Sequence, residues 1–204
     1  MAQDASSPMV EIELDRNLWN RCYTVHTLVL IGSREEDGEY NLAPKHMAMP
    51  MGFSPYFGFM GTPRKSTYRN VKREGFFTVS FPAPDQLITS SLAASQREED
   101  DSKPVIRTLP TVPARKVEGY LLEGAWFQLE CRLDQIAGKF GEWEMVVGEV
   151  VAAYVHEKAL RRTGEDEEGG KRIYRSPLLA YLYPDRFAVI HESHAFPFPR
   201  NFKR

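Results

Sequence analysis

Tyr56-Phe-Gly-Phe-Met-Gly-Thr-Pro-Arg-Lys-Ser-Thr-Tyr-Arg-Asn70 begins as an apolar run and turns, at a glycine and a proline, into a segment rich in hydroxyls and cations. Its first part reads as a short strand, and Ser66 to Glu74 reads as a helix that Gly75 stops. A strand that feeds a helix start leaves the first-turn N–H groups unpaired at the positive end of the helix dipole. Arg64 and Lys65, the hydroxyls of Thr62, Ser66 and Thr67, and the Asn70 amide gather there, which makes an anion pocket best suited to phosphate. The Walker pattern fails twice, because Arg64 stands where glycine should precede the lysine and Phe59 stands at the first glycine. A nucleoside-triphosphate cradle is therefore not expected, and the terminal phosphate of a bound cofactor is. Local chemistry alone equally fits a capped helix start whose cations are simply solvated.

On either side of this junction the chain reads as strands. Cys22 to Ser33 is dense in β-branched and aliphatic residues and reads as one strand buried on both faces, turning at Arg34 to Gly38 into a second strand over Glu39 to Met49. Pro44 lies inside that second strand and cannot donate to a ladder, so an edge, a bulge or an opening toward a ligand is required there. Phe76 to Phe81 is an apolar strand, and Pro84 to Ser95 reads as a helix. Arg97 to Lys103 reads as charged and exposed. From Trp126 to Leu133 apolar residues alternate with Gln128, Glu130 and Arg132, the pattern of a half-buried strand. A turn bracketed by Gly138 and Gly141 leads to a long strand over Trp143 to His156, then a solvated loop from Arg161 to Lys171. A short strand begins at Phe187 and runs into the aromatic-proline tail Ala195 to Pro199. Short strands joined by hairpins, with two or three helices, favour a closed antiparallel barrel carrying its helices outside.

The 204 residues suit one well-buried core, with residues 1–10 read as a disordered leader to a single domain over 11–204. A net charge of −2 gives no basic excess for nucleic acid, and no apolar run approaches a bilayer span. No secretory leader is legible, and Cys22 and Cys131 read as buried free thiols, so a cytoplasmic location is expected. His191 and His194 sit in extended chain that does not set ligand geometry, and no metal site is expected. Neither a Gly-x-Ser-x-Gly elbow nor a Gly-x-Gly-x-x-Gly fingerprint occurs. Asn41-Leu-Ala-Pro-Lys-His-Met-Ala-Met-Pro50 offers small residues that let a flat ring approach the backbone, and polarisable methionines beside them, although a plain methionine-lined core fits as well.

Four segments together resemble the flavin reductase-like family, the FMN-binding split barrels that include flavoredoxins. They are Asn41-Leu-Ala-Pro44, Arg64-Lys-Ser-Thr-Tyr-Arg-Asn70, Gly75-Phe-Phe-Thr-Val-Ser80 and Val147-Gly-Glu-Val-Val151, within a stretch from Tyr23 to Tyr154. The resemblance implies a mainly β fold with α, an antiparallel, Greek-key-like split barrel with peripheral helices. It also implies FMN held at a homodimer interface, with Ala43, Pro44, Lys45, His46 and Met47 along the ring. Arg64, Lys65, Ser66, Thr67 and Asn70 would then hold the phosphate. The implied activity is oxidoreduction with NADH or NADPH as donor and a small molecule or redox protein as acceptor; a non-catalytic flavin carrier or sensor is the alternative. Three departures bear on this: Trp143 stands where many NAD(P)H-using members carry histidine, Met49 to Pro55 replaces the usual Asn-Pro-Pro loop, and Ser66 replaces a common aspartate. The tail Ala195 to Pro199 is expected to act as a lid or dimer arm.

Overall fold

The structure is a computed structural model that describes residues 9–161, 173 and 175–199. In chain order the strands are β1 (Thr24–Thr27), β2 (Val29–Arg34), β3 (Tyr40–Lys45), β4 (Ala48–Pro50), β5 (Tyr56–Gly61) and β6 (Phe76–Phe81). They continue as β7 (Thr111–Pro113), β8 (Tyr120–Leu122), β9 (Phe127–Phe140), β10 (Trp143–Val155), β11 (Leu178–Tyr183) and β12 (Arg186–Ile190). The helices are α1 (Ser66–Glu74) and α2 (Leu87–Leu92).

Seven strands form one antiparallel sheet in the order β3-β2-β6-β9-β10-β5-β4. Its two edge strands, β3 and β4, are separated in the chain only by His46 and Met47. The step from Lys45 to Ala48 can span about 10 Å, whereas the edges of a flat seven-stranded sheet lie about 29 Å apart. The sheet therefore curls until its edges nearly meet, and no ladder joins β3 to β4, so the barrel is split along that seam. Register shifts in the long β9–β10 pair, at Trp143/Met145, Val147/Gly148 and Val150/Ala152, supply the bending. Pro44 sits in edge strand β3, opposite Leu30, as its missing donor demands.

Val29, Ile31, Phe57, Phe59, Phe77, Val79, Cys131 and Val146 fill the barrel, with Tyr68 and Val71 of α1 packed into the same cluster. On the other face of β2 and β3, Leu30 and Leu42 pack under a second cluster with Ala93, Ile106, Leu109 and Leu122. Helix α1 spans the residues the sequence indicates, because Gly75 takes φ 74° and its N–H closes on the Val71 carbonyl at 2.9 Å. A separate sheet, β1-β11-β12, lies outside the barrel.

Several expectations are corrected. Cys22 to Ser33 is two strands in different sheets, broken at Leu28: β2 is buried on both faces, whereas β1 alternates and Cys22 is exposed. Glu39 to Met49 likewise divides into β3 and β4, because one continuous strand cannot occupy both edges of the barrel. The stretch after Pro84 is a 3₁₀ turn followed by a six-residue α2, and β9 runs on through Gly138 to Phe140. Strand β11 carries no polar alternation to announce it and is absent from the sequence reading. Arg97 and Lys103 are partly buried: Arg97 pairs with Glu35, and Lys103 Nζ donates to the Ala93 carbonyl at 2.6 Å. The loop expected at Arg161 to Lys171 falls, apart from Arg161, outside the described residues, as does most of the leader at 1–10.

Glu130, placed by its alternation on the solvent face, is fully buried. Its carboxylate accepts the N–H groups of Arg115 (2.9 Å), Lys116 (2.5 Å) and Val117 (3.0 Å), tying that loop to the barrel wall. Burial pushes its pKa up, but these three donors and the Tyr154 hydroxyl outweigh it and hold the group below its ordinary value. A carboxyl depressed by folding contributes stability above its unfolded pKa and loses it as pH falls through the folded one. Glu130→Gln should therefore cost about 1–3 kcal/mol at neutral pH and flatten the acid limb of the stability curve, as measured by urea melts from pH 7 downward. A second expectation concerns Gly148, where a Cβ would lie 2.5 Å from the Phe77 ring and 2.9 Å from the Arg132 carbonyl oxygen. Gly148→Ala should destabilise by about 1–3 kcal/mol, read by thermal melting.

Candidate functional site

Strand β5 delivers the chain to the Thr62–Lys65 turn, where Lys65 N–H donates to the Thr62 carbonyl at 2.9 Å and α1 begins. Lys65 occupies the cap position without a side-chain capping bond, so the first-turn N–H groups have no internal cap. Thr62 Oγ1, in the same turn, is buried with no hydrogen-bond partner, the one such side-chain atom among the described residues. An orphaned hydroxyl of this kind calls for a missing partner.

The seam strand β3 brings Lys45 toward this turn. Burial lowers the Lys45 pKa first, and the Lys65 ammonium lowers it further, so the two charges are close enough to act on each other. Neither makes an ion pair with a carboxylate among the described residues. Lys103 extends the row: burial, then Arg97 and Lys45, bring its pKa down to about 8 against the opposing pull of Glu35. The Lys45 and Lys65 ammonium groups, paired with no described carboxylate, repel each other, and a bound anion relieves that cost.

The structure divides the residues picked out by the sequence. Lys45, Lys65, Ser66 and the buried Thr67 assemble around the seam and the helix start. Arg64 is exposed and pairs with Glu142, while Tyr68 pairs with Glu144, which fastens the beginning of β10 and its flanking turn to this segment. Trp143 lies between those two acids and is half-buried. Asn70 is committed internally, donating to Ser33 Oγ at 3.1 Å and accepting from Arg73 at 3.3 Å, and it lines a separate 510 Å³ cavity with Arg69, Arg97 and Lys103. Ala43 is half-buried opposite Ile31, and Met47 is exposed, with its carbonyl taking the Met60 N–H at 2.9 Å. Met49 is exposed as well, so this pair does not belong to a methionine-lined core.

Pro44, Lys45 and His46 form one wall of a 350 Å³ cavity closed by α2 and the β11–β12 turn. His46 is packed against Tyr181 and Tyr183 at ring centroid distances of 5.0 and 5.2 Å and edge-on to His26 at 5.3 Å. Burial, then His26 and Lys45, hold its imidazole below the ordinary value, so it is neutral at pH 7. Thr62 entered the sequence reading only as one hydroxyl of the run, and Lys103, His26, Tyr181 and Tyr183 were not picked out as site residues. His191 and His194 lie in exposed chain past β12, and the tail brings the Phe196 and Phe198 rings together at 4.6 Å, tilted by 46°. No described helix is long and apolar enough to cross a membrane.

The sequence of this curled, split antiparallel barrel matches the model of the flavin reductase-like domain over residues 21–185. The chain belongs to the flavin reductase-like family. The match extends past Tyr154 to include β11, the strand that completes the wall around His46. Among solved structures, component B of nitrilotriacetate monooxygenase from Bacillus cereus is 17% identical with a TM-score of 0.76, covering 94% of this chain and 100% of that one. Flavoredoxin of Desulfovibrio vulgaris (Miyazaki F) is 19% identical with a TM-score of 0.74, covering 94% and 99%. An FMN-binding protein from Thermus thermophilus with bound 1-cyclohex-2-enone is 21% identical with a TM-score of 0.70, covering 93% and 98%. At these identities the likeness is one of fold.

The flavin reductase-like seam yields a direct test. Thr62→Val removes the orphaned hydroxyl while keeping its shape, so the ligand-free protein should recover part of the penalty of about 1–3 kcal/mol for an unpaired buried group. Urea melts of the ligand-free wild type and variant measure this, with the variant no less stable.

Proposed function

We propose that this protein is an FMN-dependent oxidoreductase working as a homodimer, with the cofactor's phosphate at the seam and its ring along β3. The observation that carries the reading is the pairing of Lys45 with Lys65, without acids, beside an uncapped helix start and the orphaned Thr62 hydroxyl. Those groups fit a dianionic phosphate in charge and in donor chemistry. Lys65, Ser66 and Thr67 with the first-turn N–H groups bind that phosphate; Arg64 joins them by leaving Glu142. Ala43 keeps the β3 surface low enough for a planar ring, and Pro44 adds no N–H that a ring would bury unpaired. Lys45 stands where ring and phosphate regions meet.

Once bound, FMN supplies the chemistry of accepting hydride at N5, from NADH, NADPH or another donor, and of releasing electrons to an acceptor. The protein's part is to orient the cofactor and exclude water around it. Exposed apolar side chains near edge strand β4, namely Met47, Met49 and Phe53, support a partner copy against that edge. The absence of a basic surplus in the sequence supports a small-molecule rather than a nucleic-acid ligand.

The purified protein should show a flavin visible spectrum, or acquire one on titration with FMN, and elute as a dimer. Arg64→Gln combined with Lys65→Gln should weaken FMN binding about 10- to 100-fold, or about 1.4–2.8 kcal/mol, without lowering the melting temperature by more than a few degrees. Unchanged affinity overturns the phosphate assignment. Anaerobic bleaching by NADH or NADPH supports the oxidoreductase, whereas reduction by dithionite alone makes the protein a flavin carrier.

A further inference from the structure

The 510 Å³ cavity lies at the β2–β3 turn, the end of β3 away from Lys45, and its lining is mostly charged. The turn supplies Glu35, Glu36, Asp37 and Glu39, helix α1 supplies Arg69 and Arg73, and the loop from Arg97 to Arg107 closes the remaining side. Its volume falls within the range of small-molecule sites, about 300–1,000 Å³. Part of this charge is spent on holding the walls together. Arg97 pairs with Glu35 and Asp101, and Arg73 donates to Glu74, to Asn70 Oδ1 and to the Arg34 carbonyl. Arg107 pairs with Glu39.

The rest of the charge is not spent in this way. Arg69 donates to the Arg64 carbonyl at 2.9 Å and meets no carboxylate among the described residues. Lys103 Nζ meets carbonyl oxygens alone, at 2.6 Å from Ala93 and 3.4 Å from Leu42 and the Asn41 side chain. Asp37 and Asp100 accept N–H groups from Glu39 and Ser102 at 2.9 Å, and neither they nor Glu36 meet a described cation. Three acids and two cations therefore line one cavity, and no ion pair joins the two sets. A purely anionic ligand is opposed by the acids and a purely cationic one by Arg69 and Lys103, whereas a ligand that carries both signs gains from both walls. No group of side chains suited to a metal ion occurs among the described residues.

We propose that this cavity is a binding site for small zwitterions, amino acids or short peptides, with the carboxylate toward Arg69 and Lys103 and the ammonium toward Glu36, Asp37 and Asp100. The site is separate from the one that takes a flavin, because neither residues 43–47 nor Lys65, Ser66 and Thr67 line it. From β3 it takes Tyr40, about 16 Å of strand away from Lys45. From α1 it takes Arg73, about 10 Å of helix past Ser66. Asn70 lines it too, but its amide is already engaged by Ser33 and Arg73. Binding here stands independently of the flavin reading.

Isothermal titration of the full chain at low salt with the dipeptide lysyl-glutamate, in the absence of FMN and again at saturating FMN, tests this directly. N-acetylglutamate and lysinamide serve as the probes of a single sign. Saturable binding of the dipeptide is expected under both conditions, about tenfold tighter than that of either probe. Arg69→Gln and Glu36→Gln, both at exposed positions, should each weaken the dipeptide about threefold, the scale of one exposed charge pair, with FMN uptake and melting temperature unchanged. No saturable binding, or binding no tighter than that of a probe of one sign, overturns the proposal. So does unchanged affinity in both variants, which puts the dipeptide elsewhere, or its displacement by FMN, which makes the site the flavin's own. Dipeptide binding by a protein that takes up no FMN leaves this inference standing and removes the flavin reading instead.

Discussion

Two residues, His46 and Met47, join strands at opposite edges of a seven-stranded sheet. That short connection is the constraint from which the rest of the structure follows. It forbids a flat sheet, curls the strands around Phe57, Phe59 and Phe77, and leaves a seam where β3 and β4 face each other without a ladder. A seam of this kind exposes backbone and side chains that a closed ladder would consume. The groups with unmet chemistry collect along it: Lys45, His46 and, across the turn into α1, Thr62 and Lys65.

The contrast between Glu130 and this seam shows where the fold satisfies its polar groups and where it leaves them in want. Glu130 is wholly enclosed, yet three N–H donors converge on it, so its charge organises a loop and is stabilised by it. At the seam the balance is reversed, with Lys65 depressing Lys45, Lys45 depressing Lys103 and a hydroxyl without a partner. Proteins keep such deficits where a ligand makes them good. The same reasoning separates Asn70 from the Arg64 to Thr67 segment, since its amide is already engaged by Ser33 and Arg73.

Local signals carried much of the architecture. The helix start at Ser66, the stop at Gly75 and the edge position of Pro44 each follow from one residue's backbone chemistry, and each is found where that chemistry requires. Other expectations went astray where burial depends on a distant element. Glu130 alternates like a surface residue, and only the 115–117 loop folding over it reverses that. Lys103 reads as solvated until the carbonyl of Ala93 and the wall of β3 enclose it. Cys22 to Ser33 has the composition of one strand, but Leu28 marks a change of sheet that no periodicity announces.

By itself the sequence determined the strand-and-hairpin character of the chain, the cation- and hydroxyl-rich composition of the segment from Arg64 to Thr67 and, through four short motifs, its family. Those properties are local, set by backbone preferences and by residues adjacent in the chain. Tertiary structure alone decided that Lys65 comes close enough to Lys45 to depress it, that His46 is walled by tyrosines from β11, and that a cavity opens beside β3. The physical reason is the curl of the sheet, which brings together groups from β1, β3, α1 and β11 that are far apart along the chain and carry no mark of one another in it.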